Sequence, residues 1–158
     1  GGCRVGVVGF VGAGVVAQVP VLAPFSVLWV RKGPEKSGFF TCTGGTSRSM
    51  QAVRRAAVLA HVTEEPITLF SVADSEAGKG AAEEAVANAR ALLKAMKIPV
   101  HETKVAVGNA VEEIVERGSL YKIIVVTDEG RSRFQRLFKG STATDVVRRA
   151  RTSVLDVR

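Results

Sequence analysis

Tyr121-Lys122-Ile123-Ile124-Val125-Val126-Thr127 is a short, mostly apolar run that ends in five consecutive β-branched residues. A strand that shows one face to water alternates apolar and polar side chains, whereas a strand covered on both faces has no polar side. The run therefore predicts a central strand of a parallel sheet with helices packed on both faces.

The flanking sequence extends that pattern in both directions. Upstream, Phe39-Phe40-Thr41-Cys42-Thr43 reads as a strand that ends in Gly44-Gly45, with Thr46 or Ser47 as N-cap of a helix running to about Val62. Ile67 to Val72 is a second strand, and Val86, Ala89, Leu93 and Met96 fall at helical spacing in a helix of about residues 81–97 that Pro99 stops. Val100 to Val107 reads as a third strand, and Asn109-Ala110-Val111-Glu112 opens a helix ending near Gly118. Downstream of the central run come a basic loop over 128–141, a helix from about Thr142 to Ala150 and a final strand, Ser153 to Val157. Five strands alternating with four helices predict a five-stranded parallel, doubly wound α/β sheet with right-handed crossovers. Such sheets bind ligands beyond the carboxyl ends of their strands, where the strand order reverses.

Composition limits the possibilities further. A chain of 158 residues with 46% hydrophobic content holds one core of ordinary size. Cys3 and Cys42 cannot build a disulfide framework, no Cys/His group has zinc spacing, and a reducing cytoplasm suits both facts. The net charge of +7 is unevenly spread: residues 1–60 carry 7 Lys/Arg against 1 acidic residue, 61–120 carry 6 against 10, and 121–158 carry 9 against 4. Basic ends suit an anionic partner without choosing its class. Nucleic acid is disfavoured, because besides Trp29 and Tyr121 few aromatic residues fall near the arginines to stack on bases. His61 and His101 fall at a helix end and within a strand, so neither reads as a ligand or base.

The first thirty residues allow three readings. Val5 to Val30 has no charged residue, which is long enough for a membrane span, but its glycines, Pro20 and Pro24 make a poor helix. Gly12-Ala13-Gly14-Val15-Val16-Ala17 matches a weak dinucleotide pattern, with Arg31 placed as a candidate partner for a 2′-phosphate. The third reading is an internal repeat. Gly2, Phe10 and Gly12 match Gly130, Phe138 and Gly140 at an offset of 128, while Ala23, Ser26, Val27, Leu28, Val30 and Arg31 match Ala150, Ser153, Val154, Leu155, Val157 and Arg158 at 127. On this reading residues 1–31 are the tail of a preceding, incomplete unit, 32–37 are a linker, and 38–158 form a complete domain. A strand at 26–30 then needs a partner for its exposed edge, and the final strand at 153–157 is the expected one.

Gly130, nine residues, then Gly140-Ser141 resembles the phosphate-binding signature of the ATP-binding universal stress proteins. The order of Gly44-Gly45-Thr46 after the first strand, Val107 to Ile114 before the fourth, and Ser153 to Arg158 at the end extends the resemblance along residues 38–158. It implies a Rossmann-like sheet of the adenine nucleotide alpha hydrolase type, strand order 3-2-1-4-5. It also implies a nucleotide site drawn from Thr43, Gly44, Val72, Thr127, Gly130, Gly140, Ser141 and Thr142. Charge and position add Arg131. Glycines let backbone N–H groups approach phosphate oxygens, and a helix starting at Thr142 adds unpaired donors. Two positions depart from the pattern: Gly44 stands where the ATP-binding members have an aspartate, and Thr127 where they have the first loop glycine.

By this resemblance the chain is a cytoplasmic stress-response or regulatory module that takes ATP, with Mg²⁺, or a related adenine nucleotide. It forms a homodimer or pseudo-dimer through the final strand. No nucleophile, base and orienting group assemble in the sequence, so no enzymatic activity is expected. The rival readings are a regulatory domain of a membrane transporter, with residues 5–30 as a membrane remnant, and a dimerisation module that binds no nucleotide.

Overall fold

The computed structural model describes residues 5–8, 26–127 and 142–157 of the chain. Two short strands, β1 (Val5–Val8) and β2 (Ser26–Trp29), come first, followed by β3 (Phe39–Cys42), α1 (Ser47–Val62), β4 (Ile67–Ala73) and α2 (Lys79–Ala95). The chain then continues through β5 (Glu102–Val107), α3 (Ala110–Gly118), β6 (Ile123–Thr127), α4 (Thr142–Arg149) and β7 (Ser153–Val157).

Local chemistry sets the helix limits. Thr46 caps α1, its hydroxyl accepting from the Ser49 N–H at 3.1 Å. Glu64 in left-handed backbone (φ 59°) and Pro66 close that helix off. Lys97, also left-handed (φ 61°), ends α2 in the same way ahead of Pro99. Asn109 caps α3 by accepting from the Glu112 N–H at 3.1 Å. Glu112 and Glu113 then occupy its first turn and Arg117 its last, the order the helix dipole favours.

Among the described residues, seven strands form one sheet in the order β1-β2-β7-β6-β3-β4-β5. The expected five-stranded parallel sheet is thus corrected in number and direction: the sheet is mixed, because β2 pairs antiparallel with β7. All pairings among β3 to β7 are parallel, as is that of β1 with β2. The two extra strands come from the run with no charges. Residues 5–8 and 26–29 of that run are strands of the sheet, which contradicts a single membrane helix over 5–30. Among the described residues no helix is long and apolar enough to cross a membrane.

Helices cover both faces of the sheet. Phe39 and Val125 belong to one apolar cluster and Phe40 and Val126 to the other, as neighbours on a pleated strand must. The first face carries α1 and α2 through Ala52, Val53, Ala56, Val86, Ala89 and Leu93. The small alanines of α1 let its backbone lie close to the sheet. The second face carries α3 and α4 through Val111, Ile114, Ala143, Val146 and Val147. Gly118 ends α3 against the sheet because a Cβ there would lie 2.5 Å from the buried Ile124 side chain.

Candidate functional site

The strand order reverses between β3 and β6. These strands are parallel neighbours, with Phe39 opposite Ile123 and Thr41 opposite Val125. From β3 the chain leaves through α1 on one face towards β4, and from β6 it leaves through α4 on the other face towards β7. With α1 and α4 on opposite faces, a crevice is expected at the carboxyl ends of these strands, the usual ligand position in open α/β sheets.

Thr43 and Gly44 leave β3 at this crevice, Thr127 ends β6 beside them, Val72 lies near the end of β4, and Thr142 opens α4. Gly130, Arg131, Gly140 and Ser141 lie outside the described residues. Register brings the strand-end positions together, yet two of the side chains are committed within the protein. The Thr43 hydroxyl donates to Ser49 Oγ at 3.2 Å and accepts from the Gly45 N–H at 3.3 Å. The Thr127 hydroxyl, in a buried residue, donates to the Val157 carbonyl at 2.7 Å. Their hydroxyl protons are therefore committed, and a ligand at these positions would meet only an acceptor lone pair of each hydroxyl or the backbone. Gly44 is exposed and Val72 is half-buried against the cluster that holds Phe40 and Phe70.

Ser49 is a residue that the sequence reading missed. It is fully buried, and it ties Thr43 to Thr46 through its own hydroxyl, so the turn after β3 is fixed by three hydroxyl groups. The Thr46-x-x-Ser49 spacing, a variant of the capping box, was the available signal. Arg31, placed by sequence as a 2′-phosphate partner, is used differently: its guanidinium donates to the Val147 carbonyl and its N–H to Ser153 Oγ.

The opposite end of the sheet has a cavity of about 570 Å³ lined by His61, Glu64, Glu65, Pro66, Ile98 and His101, among others. One of its carboxylates, Glu65, is a structural fastener. Glu65 accepts from the Gly38 N–H at 2.8 Å and pairs with Lys122 at 2.9 Å. The Gly38 N–H, helped by Lys122, holds the Glu65 carboxyl below its ordinary range against the opposing effect of burial. A carboxyl whose pKa falls on folding adds stability above its unfolded pKa of about 4.3, and that stability is lost as pH falls through the folded value. Glu65→Gln keeps an acceptor for Gly38 but removes the charge. It is expected to cost about 1 kcal/mol at neutral pH. The difference from wild type should shrink as pH falls below the unfolded pKa of about 4.3, in urea titrations repeated across pH. Among the described residues no group of three or more His, Cys, Asp or Glu is placed to hold a metal ion.

The sequence pattern of the universal stress protein family matches residues 41–158, which contain β4 to β7 and both sides of the crevice. The chain belongs to the universal stress protein family. Solved universal stress proteins share its architecture. One in complex with cAMP is 25% identical, with a TM-score of 0.64 over 79% of this chain and 98% of that one. Another, from Archaeoglobus fulgidus in complex with dAMP, is 18% identical, with a TM-score of 0.61 over 78% of this chain and 98% of its own. A third, from Archaeoglobus fulgidus DSM 4304, is 13% identical, with a TM-score of 0.69; it aligns with 98% of this universal stress protein domain and its extra strands, which span 60% of that longer chain. No curated protein matches the sequence.

Proposed function

We propose that the chain is a stress-response regulatory module that binds an adenine nucleotide in the crevice between the carboxyl ends of β3 and β6, and that it acts by binding rather than by catalysis. The observation that carries this reading is the reversal of strand order at β3 and β6 in a member of a family whose solved relative, 25% identical, holds cAMP. The adenosine end would lie against Gly44 and Val72, where no aspartate stands. Phosphate would be met by the segment from Gly130 to Ser141 and by the N-terminus of α4 at Thr142. With ATP, Mg²⁺ would offset the crowding of phosphate oxygens beside Asp128 and Glu129.

Calorimetric titration with cAMP, AMP and ATP, the last with and without Mg²⁺, tests the reading. One adenine nucleotide should bind saturably and raise the melting temperature, by the equivalent of about 2.7 kcal/mol when free ligand reaches a hundred times Kd. Gly140→Val should abolish that rise, because a side chain there blocks backbone approach to phosphate. Absence of heat and of any thermal shift at millimolar concentrations of all three nucleotides would reject it. Normal binding by the Gly140→Val protein would reject the loop assignment alone.

The repeat belongs to the same proposal. Residues 1–31 are read as part of a preceding unit and 38–158 as a complete one. Alignment of the sequence with itself sets residues 2–12 against 130–140. The parallel pairing of β1 with β2, like that of β6 with β7, supports reading Val5–Val8 as the counterpart of Ile123–Thr127 in that preceding unit.

A further inference from the structure

Three connections meet at the amino ends of β6 and β7, below the seam between β2 and β7. The antiparallel register that sets Trp29 opposite Val154 carries Val30 and Arg31 on towards Ser153 and Thr152, while Ile123 lies opposite Ser153 on the other side. Hydrogen bonds fix that grouping. The Arg31 N–H donates to Ser153 Oγ at 3.0 Å, and its guanidinium donates to the Val147 carbonyl. The Thr152 hydroxyl reaches the Tyr121 and Lys122 carbonyls at 2.8 and 3.0 Å, and the Lys36 ammonium donates to the Ser119 carbonyl. Residues 30–36, 119–122 and 148–153 are thereby held side by side.

Their shared surface is strongly basic, with seven Lys/Arg against one acidic residue, Glu35. Lys122 is matched by Glu65, but Lys32, Arg148, Arg149 and Arg151 are exposed and enter no salt bridge among the described residues. The dipole of α4 favours cations in its last turn, which accounts for Arg148 and Arg149 alone. Arg151 stands beyond the helix and Lys32 on the linker. Unmatched cations gathered at one end of a fold repel one another, so an anionic counterpart lowers their energy. Two apolar side chains project from the same surface, Leu120 at 76% exposure and Val30 at 42%. A single exposed leucine needs no explanation, but apolar tips among cations suit a bilayer, where methyl groups enter the interface and cations stay with the headgroups.

We propose that this surface docks the chain on an anionic lipid bilayer, with Leu120 and Val30 entering the interface and Lys32, Arg148, Arg149 and Arg151 lying at the headgroup phosphates. Nucleic acid would answer the charge but leave both apolar side chains without a partner. Tyr121, the aromatic residue at this end, is packed on Phe40 and is not offered to bases. The inference is independent of nucleotide binding, because the crevice lies at the opposite ends of the same strands. A docked chain would present that crevice to water.

Each Lys or Arg near an anionic surface adds about a fivefold factor to partitioning, which sets the size of the expected effects. The test mixes the full chain with vesicles of phosphatidylcholine alone or with about 30% phosphatidylglycerol, an anionic content that gives a clear surface potential. Sedimented vesicles should carry the protein only when phosphatidylglycerol is present, and the bound fraction should fall steeply between about 0.05 and 0.5 M salt. Arg148→Gln, Arg149→Gln and Arg151→Gln together should lower the partition coefficient about a hundredfold at an unchanged melting temperature. Leu120→Cys, in a chain with Cys3→Ser and Cys42→Ser, is labelled with an environment-sensitive fluorophore, which should brighten and shift to the blue on these vesicles. The same label at Glu84→Cys, on the exposed face of α2, should not respond. The label readout decides by itself if the triple variant does not fold. Absence of binding to phosphatidylglycerol vesicles, undiminished binding by a folded triple variant, or an equal response at both label positions would each overturn the proposal. Salt-insensitive binding to both kinds of vesicle would also overturn it, by assigning attachment to the apolar residues between β1 and β2. Retention on duplex DNA at salt concentrations that strip the protein from vesicles would do the same, by making nucleic acid the partner.

Discussion

Replacing Phe40 with alanine is expected to destabilise the chain by about 3–5 kcal/mol, read as a fall in the urea midpoint at unchanged slope. Phe40 is fully buried in β3. Its ring packs against Phe70 at a centroid distance of 4.8 Å and against Tyr121 at 4.9 Å, both in tilted geometry. Such ring pairs add about 0.5–1.5 kcal/mol to the area they bury. The three rings come from β3, β4 and the residues leading into β6, so removing the middle one opens a cavity shared by three neighbouring elements. Relaxation is constrained because Gly118 of α3 already lies against Phe40 and Ile124. The turn at Thr43 follows directly from β3, so the same substitution should weaken nucleotide binding without touching the ligand. A loss below about 1 kcal/mol would mean that the ring is not packed as described.

Much of this architecture was legible in the sequence because local and tertiary signals agree. The run Ile123 to Thr127 was read as a central strand from its lack of a polar face, and it is bordered by parallel strands on both sides. The helix starts at Thr46 and Asn109 were legible because one side-chain oxygen accepts from a backbone N–H three residues on. The extra strands were only half legible. Ser26 to Trp29 was readable through its likeness to the final strand, and its pairing with that strand follows from the cost of an open edge. Val5 to Val8 was not assigned to the sheet, because four residues interrupted by Gly6 and followed by Gly9 give no periodicity to distinguish strand from loop. The candidate site was legible by position and not by contact. Sequence placed Thr43 and Thr127 at strand ends, but hydroxyl groups go to the nearest unpaired backbone or hydroxyl partner, which sequence spacing cannot specify across Thr127 and Val157.

Trp29→Ala carries the second large effect, again about 3–5 kcal/mol, measured by urea unfolding followed by circular dichroism. Trp29 is the only tryptophan, so in the parent its emission should be blue-shifted and move red in the same transition that removes helix. Coincidence of the two curves would mean that β2 unfolds together with the domain. The side chain belongs to the cluster holding Val126, Val146, Val147 and Val154, and so joins the first strands of the chain to the last. Alanine removes that packing but leaves the backbone pairing with β7 intact. If Trp29 emission moved red well before the helices melted, the seam would open independently of the core, and the stability lost on removing the indole would fall far short of the expected range.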